Sequence, residues 1–426
     1  MKRKSIFFIS VLAMLMMVVT ACDDSSNEAG SNGGEEDITL EFWTMQLEPT
    51  FTDYLEDLID KYEEENPNVT IDWLDVPASD LEEKVLADVS AGNAPDVVNL
   101  NPAFGASLAD LGATTNMDEL VPDEEKEKYL EGAWEASQLD GETYAIPWYL
   151  TTEVNQNNAA LYEEAGLDVE DPPETYEEAA EYAKIIKEET GKYGFFPSMD
   201  LSLPLKYMAK MDVELMNDDG TAAFNNEKGI EVIELFTELY EEKAIPAEAL
   251  SGDQDEGADL YQSGEVAIGG FSIESIKENA PDIYDETVVS GALTGDSGNI
   301  DISVLNLVVP EPSEHHEAAV DFALFVTNSE NQINFAKETP VLPSIEKALD
   351  DPYFTDEPDD ADPIEMERII SAEQLDNAEL LVPPMENSSD LETVMHDAFA
   401  RAMLGEQTPE ESLDEAEKEW NDIVNK

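Results

Sequence analysis

The sequence predicts an α/β fold of two lobes on either side of a cleft, on three observations. At 426 residues the chain is longer than one small core holds together, so two domains are expected. Behind an apolar leader, strand and helix patterns alternate in β-α-β-α-β order, which implies a parallel sheet with ligand loops at the carboxyl ends of its strands. The stretch DGETYAIPWYLTT (140–152) then reads as a turn at Asp140-Gly141 and a β-branched, aromatic strand, Thr143–Thr152, holding Pro147. Such a strand suits a segment passing between two bodies, with Trp148, Tyr149, Thr151 and Thr152 facing the cleft. The alternative is an edge strand with a buried Trp148.

Each element has its own signal. Ile38–Trp43 is a strand, and Glu48–Asn66 a helix with Phe51, Tyr54, Leu55, Leu58, Ile59 and Tyr62 at helical spacing, stopped by Pro67. Val69–Leu74 is the second strand. Asp80 is expected to cap a helix carrying Leu81, Val85, Leu86 and Val89, which ends near Gly92; Asp96–Leu100 is a short buried strand. Ligand loops would begin at Trp43-Thr44-Met45-Gln46 and at Asn99-Leu100-Asn101. Asn158–Ala165 is a short helix ending on Gly166, a C-cap residue. Glu174–Thr190 is amphipathic, and Asn225 or Asn226 caps the helix of Ile230, Ile233, Phe236 and Tyr240. Ser303–Pro310 and Thr339–Ser344 are the second and third candidate crossings. Asp350–Asp362 reads as an acidic surface loop. Helices near 364–379, 388–404 and 408–424 close the chain, the last starting at Thr408-Pro409.

Charge is the loudest bulk property. The chain has 21 Lys and Arg against 100 Asp and Glu, a net charge of −79, with 42% apolar residues. The apolar share and the helical periodicity argue against disorder, and no basic patch for nucleic acid survives this background. Self-repulsion on this scale opposes compaction. At about 1 M salt the Debye length falls to roughly 3 Å, so the surface reads as adapted to a salty exterior.

The N-terminus, MKRKSIFFISVLAMLMMVVTAC, has a positive start and an apolar run, Ile6–Val19, too short to span a bilayer comfortably. It ends in Val19-Thr20-Ala21-Cys22, which resembles a bacterial lipobox with Val in place of the usual Leu. Residues 1–22 are therefore expected to be a signal peptide, with Cys22 lipidated as the mature N-terminus. Cys22 is the only cysteine, so no intramolecular disulfide forms. Residues 23–37 lack apolar periodicity and read as a flexible tether with a reach of roughly 20 Å.

Several segments resemble one family. DGETYAIPWYLTT and LYEEAGL (161–167) are similar to the crossing segment xDGKxYAIPWxxxTxxxxYNKxLFxEAGL of the extracellular solute-binding proteins (family 1) of ABC sugar importers, the class that contains maltose-binding protein. Asn157-Asn158-Ala159 replaces the usual Tyr-Asn-Lys. PDVVNLNPAFGASLADLG (95–112), DLYQSGEVAI (259–268) and DFALFVTNSENQINFAK (321–337) also match, and Gly270-Phe271 partly matches the family's GP-aromatic loop. The resemblance runs from about Ile38 to Ile423. It implies a periplasmic-binding-protein fold of type II: an N-terminal lobe of 38–150 plus 306–340 and a C-terminal lobe of 151–305 plus 341–426, joined by a three-segment hinge. It also implies a monomer that closes on its ligand and docks on a membrane permease.

Catalytic chemistry is thinly supplied. His315 and His316 sit at a helix start, His396 is the third histidine, and no HExxH, GxSxG, Walker A or GxGxxG motif occurs. Asp253–Asp259 lacks the order of a calcium loop and reads as solvated, so neither metal nor cofactor is expected. A neutral sugar asks instead for aromatic platforms ringed by Asp, Asn, Gln or Thr. The aromatics at loop positions are Trp43, Phe104, Trp148, Tyr149 and Phe271; the polar candidates are Gln46, Asn101, Thr151, Thr152, Asp200 and Asn387. Trp73, Trp134 and Trp420 lie inside periodic elements and are assigned to the core. The expected function is a lipid-anchored, extracytoplasmic receptor for a mono- or oligosaccharide. Two alternatives stand beside it: a secreted lipoprotein glycoside hydrolase, and a receptor for a cationic solute such as an oligopeptide or polyamine.

Overall fold

The alternating run ITLEFWTM forms strand β1 (Ile38–Met45) and buries Leu40, Phe42 and Thr44. The structure, a computed structural model, describes residues 37–217, 219–358, 361–385 and 387–425; the expected leader, Cys22 and all of the tether but Asp37 lie outside the described residues. In chain order there follow β2 (Val69–Val76), β3 (Val97–Leu100), β4 (Gln138–Leu139), β5 (Glu142–Thr143), β6 (Ile146–Thr152) and β7 (Asn155–Asn158). Then come β8 (Tyr193–Phe196), β9 (Val266–Gly269), β10 (Thr287–Ser290), β11 (Ile300–Val308), β12 (Leu342–Pro343) and β13 (Ala378–Glu379).

Two sheets carry the fold. The larger has the order β12-β6-β11-β3-β1-β2, with β13 added along β11; the smaller has the order β10-β7-β9-β8. β1 is parallel to β2 and β3, as the sequence pattern implies. β11 runs antiparallel to both β3 and β6. Each sheet has its own core. Helix Thr52–Glu65 lays Leu55, Leu58, Ile59 and Tyr62 against the larger sheet, where Tyr62 meets Phe322 edge-on at 4.9 Å. Helix Tyr176–Thr190 packs Ala179, Ala180, Ala183 and Ile186 into the other core. Strand β8 comes so close to that helix that a Cβ on Gly194 would lie 2.1 Å from the Ala183 backbone, so only glycine fits.

Several expectations shift. Helix Ala78–Ala91 starts after Pro77, and Asp80 lies in its first turn instead of capping it. The segment 350–362 is not all loop: Pro352–Thr355 is a helical turn that buries Phe354. Thr151 and Thr152 still pair with β11, and Leu342–Pro343 pairs with β6, so all three stay with the larger sheet. The chain passes between sheets at Glu153–Val154 and again at 291–299, instead of at 151 and 305. A third passage follows Thr355 instead of lying near 341: helix Pro363–Glu373 packs on the smaller-sheet side, and β13 returns to β11. Helices Ser388–Met403 and Pro409–Val424 complete the second core, the latter opened by a capping box between Thr408 and Glu411.

Candidate binding cleft

Topology brings the productive ends of both sheets to one place. β1, β2 and β3 end at Met45, Val76 and Leu100, and β6, which runs with them, ends at Thr152. In the smaller sheet β8 and β9 run parallel and end at Phe196 and Gly269, beside the start of β7, where Gln156 pairs with Gly269. The carboxyl ends of both sheets therefore face the passage at Glu153–Val154, the position where α/β sheets hold ligands.

A chamber of about 570 Å³ opens there, within the usual size of a small-molecule site. Thr152, Glu153 and Asn155 supply it from the passage, and Phe196, Ser198 and Phe271 from the ends of β8 and β9. Tyr176, Tyr207 and Glu367 close it. Phe196 and Phe271 lie 5.8 Å apart, and the Phe271 backbone N–H donates to Gln156 Oε1 at 2.6 Å, which fixes that loop. Tyr207 Oη donates to the Ser198 carbonyl at 2.8 Å.

Charges at the passage are paired. The buried Lys210 ammonium binds Glu153; crowding works against ionising that carboxyl, yet the ammonium outweighs it and holds it below the usual carboxylate range. Lys206 donates to the buried Asp301 at 2.7 Å, and Asp301 also accepts from the Leu381 N–H. Gln374 ties the two strand passages together. Its amide nitrogen donates to Thr152 Oγ1 and to the Glu153 carbonyl, each at 3.1 Å, and its oxygen accepts from the Ala292 N–H at 2.6 Å. Glu367 is different: burial, with Glu274 adding, pushes its carboxyl up to about 7, and Oε2 has no hydrogen-bond partner among the described residues.

Known proteins share this architecture. The family model for bacterial extracellular solute-binding proteins matches residues 48–333, well over half of the chain. The chain belongs to that family. A periplasmic-binding protein from Synechococcus sp. MITs9220, with an oligosaccharide suggested as its cargo, is 36% identical and superposes with a TM-score of 0.81, covering 91% of this chain and 99% of that one. The arabinooligosaccharide-binding protein of Halalkalibacterium halodurans is 26% identical, covering 68% of this chain and 67% of its own. The cyclic alpha-maltosyl-1,6-maltose binding protein of Arthrobacter globiformis, 21% identical with a TM-score of 0.77 over 91% of this chain and 98% of that one, shares the fold. The two-lobed type II fold follows. This solute-binding protein acts outside the cytoplasm, and its family binds instead of catalysing, which sets aside the glycoside hydrolase alternative.

The candidate residues divide within the solute-binding protein. Thr152 and Phe271 line the main chamber, and Thr151 with Thr152 borders a smaller one beside it. Asn387, in a left-handed conformation before helix Ser388–Met403, shares a separate groove of about 350 Å³ with Ala103, Ser107 and Asp110. Gln46 and Asp200 are exposed at strand-end loops. Asn101 caps helix Pro102–Asp110, accepting from the Phe104 N–H at 2.8 Å, while Phe104 is partly buried against the core.

Two tryptophans depart from expectation. Trp148 has no exposed surface: it stacks on Phe335 at 5.2 Å and also meets Phe42 and Tyr149. Tyr149 is itself partly buried against Phe335. Trp43 is 4% exposed, with the Lys84 ammonium 3.9 Å above its ring. Pro147 does not keep this strand at an edge. It lies beside a register shift in the β6–β11 ladder, where a missing N–H is tolerated, so β6 runs as an interior strand. Tyr176, Phe196, Ser198, Tyr207 and Glu367 were not singled out. The tyrosines sit on helices, where periodicity reads them as core.

Proposed function

We propose that this protein is the lipid-anchored receptor of an ABC importer, taking a mono- or oligosaccharide into the cleft and delivering it to the permease. The observation that carries the ligand class is the main chamber itself, where aromatic rings stand with hydroxyl and amide groups and the acidic side chains of Glu153, Asp255 and Glu367 at the meeting of the two sheets. Sugar C–H faces pack on Phe196, Phe271 and the tyrosines, while hydroxyls bond Thr152, Asn155 and Ser198. Of the acidic side chains, Glu153 is committed to Lys210 and is not free to pair with a cationic guest. Two relatives support the reading, the arabinooligosaccharide-binding protein and the Synechococcus protein with its suggested oligosaccharide cargo.

The lobes are taken as 38–152 with 300–355, and 155–290 with 388–425, turning about the passages that Gln374 ties together. Thr151, Gln46, Asp200 and Asn387 are taken as rim residues that closure would bring toward the guest, while Tyr149 and Phe104 pack against the cores and Asn101 caps its helix. Cys22 anchors the chain by its lipid and the tether frees the body to reach its membrane partner. The acidic surface suits a saline exterior, so the melting temperature rises as salt is added.

The test is a thermal-shift screen of the full chain at high salt against monosaccharides, oligosaccharides, spermidine and short basic peptides. A sugar at 100 times its Kd raises stability by about 2.7 kcal/mol and is recovered intact. A shift with spermidine or peptide and none with any sugar refutes the reading.

A further inference from the structure

The chain passes between the sheets at Glu153–Val154, at 291–299 and along the stretch from Thr355 to β13. Gln374 stands on the return leg of the third passage, just after helix Pro363–Glu373, and is half-buried. Its side chain reaches the other two. One amide hydrogen goes to Thr152 Oγ1 and the other to the Glu153 carbonyl, each at 3.1 Å, while Oε1 accepts from the Ala292 N–H at 2.6 Å. Gly291 leaves room for this approach, because a Cβ there would lie 3.0 Å from that oxygen. Asn155 adds a second tie between the first two passages, its Nδ2 donating to the Gly291 carbonyl at 2.8 Å.

Chemistry explains why an amide holds this place. A glutamine is neutral and both donates and accepts, so it joins a carbonyl on one segment to an N–H on another. A lysine only donates, and an ionised glutamate only accepts. Two of the partners, the Glu153 carbonyl and the Ala292 N–H, are backbone groups that no side-chain rotation moves, so these bonds fix the path of the passages themselves. The third partner, the Thr152 hydroxyl, gives its own proton to the Ser371 carbonyl at 3.3 Å and keeps a single lone pair uncommitted. Thr152, Glu153 and Asn155 line the main chamber, whereas Gln374 lines neither that chamber nor the smaller one.

We infer that Gln374 is a positioning residue for ligand binding: it locks the three passages into one pivot and sets the placement of Thr152 and Glu153 without touching the guest. This rests on the receptor reading above. With the amide in place the two halves turn as a unit about all the passages. Without it each passage bends by itself, the halves sample many arrangements, and the share able to take the guest falls. The apparent Kd rises by the inverse of that share.

The experiment compares wild type with Gln374→Leu, which loses every one of these bonds, and with Gln374→Glu at pH 8, which keeps an oxygen for the Ala292 N–H and has no proton for Thr152 or Glu153. Melts confirm that each full-length variant is folded at the temperature used. One readout is the distance between spin labels at Glu64→Cys and Glu188→Cys in a Cys22→Ser background, measured by pulsed electron resonance. Both positions are exposed, one on helix Thr52–Glu65 of the larger-sheet half and the other on helix Tyr176–Thr190 of the smaller-sheet half. Gln374→Leu broadens the wild-type distance distribution by about two-fold or more. The other readout is calorimetric titration with glucose, maltose, arabinose and arabinobiose. For each sugar that wild type binds, Kd rises about five- to ten-fold in Gln374→Leu and at least as much in Gln374→Glu. Distances as narrow in Gln374→Leu as in wild type, or a Kd within about two-fold of wild type in both variants, overturn the inference. Failure of wild type to bind any of these sugars overturns the carbohydrate reading alone, and the label distances then decide the role of Gln374.

Discussion

The two halves of the molecule use their aromatic side chains in opposite ways. In the larger-sheet half the rings turn inward, with Trp148 stacked on Phe335 and Phe42, Phe322 and Tyr62 extending the cluster. In the smaller-sheet half Phe196 and Phe271 stand at the chamber wall, and Tyr176 and Tyr207 belong both to the core and to that wall. The same residue types therefore build a rigid body in one half and a recognition surface in the other. Substitutions at four positions break or sharpen that contrast.

The largest effect belongs to the inward-facing half. Trp148→Ala removes a ring with no exposed surface and leaves a cavity, so stability falls by about 3–5 kcal/mol in chemical denaturation. Ligand affinity at a temperature where the variant is folded stays near wild type. If affinity collapses while stability holds, Trp148 is a platform after all and the contrast fails. Phe271→Ala inverts the pattern. Partly exposed at the chamber wall, it costs about 1.5–2 kcal/mol of binding, roughly a ten- to thirty-fold rise in Kd, with a smaller loss of stability.

Glu367 gives the contrast a pH axis. Its folded value of about 7 stands above the ordinary 4.5, so the folded state holds the proton more tightly than the unfolded chain. Stability therefore falls as pH climbs from about 4.5 to about 7, and the cost is fully present above that window. Glu367→Gln removes the ionisation. Allowing for partial solvent access, it raises stability at pH 8 by on the order of 2 kcal/mol and changes nothing below pH 4. Melts of both proteins across pH check this, and a gain that is the same at pH 4 and pH 8 refutes the assignment.

Much of the fold was legible because burial repeats with a period. Leu55, Leu58, Ile59 and Tyr62 face the sheet as their spacing requires, and the β1–β3 order sets the parallel ladder. The cleft wall was less legible because periodicity does not separate a core stripe from a wall. Tyr176 is in register with Ala179, Ala180 and Ala183, all buried, yet it also borders the chamber. The burial of Trp148 was left open for a related reason. Ile146 packs in the same core, but the register shift at Pro147 puts Leu150 in another, and whether the strand is interior depends on β11 and β12, which come from distant sequence. Glu367 sits among many carboxylates and carries no local mark; only the third passage brings it to the chamber.

The smallest effect tests a residue that chemistry made attractive and geometry has otherwise employed. Asn101 follows β3 at the cleft edge, where an amide suits a sugar hydroxyl, but its Oδ1 already accepts from the Phe104 N–H and its amide nitrogen donates to Glu82 at 3.3 Å. Pro102 at the first helical position and the extended backbone of Asn101 complete an N-cap. Asn101→Ala should therefore cost about 1 kcal/mol of stability with ligand affinity unchanged. Asn101→Asp, which keeps the accepting oxygen, should restore the stability. Were affinity to fall in both variants while the melting temperature stayed put, the amide nitrogen would be a ligand contact, and the larger-sheet half would share in recognition at its strand ends.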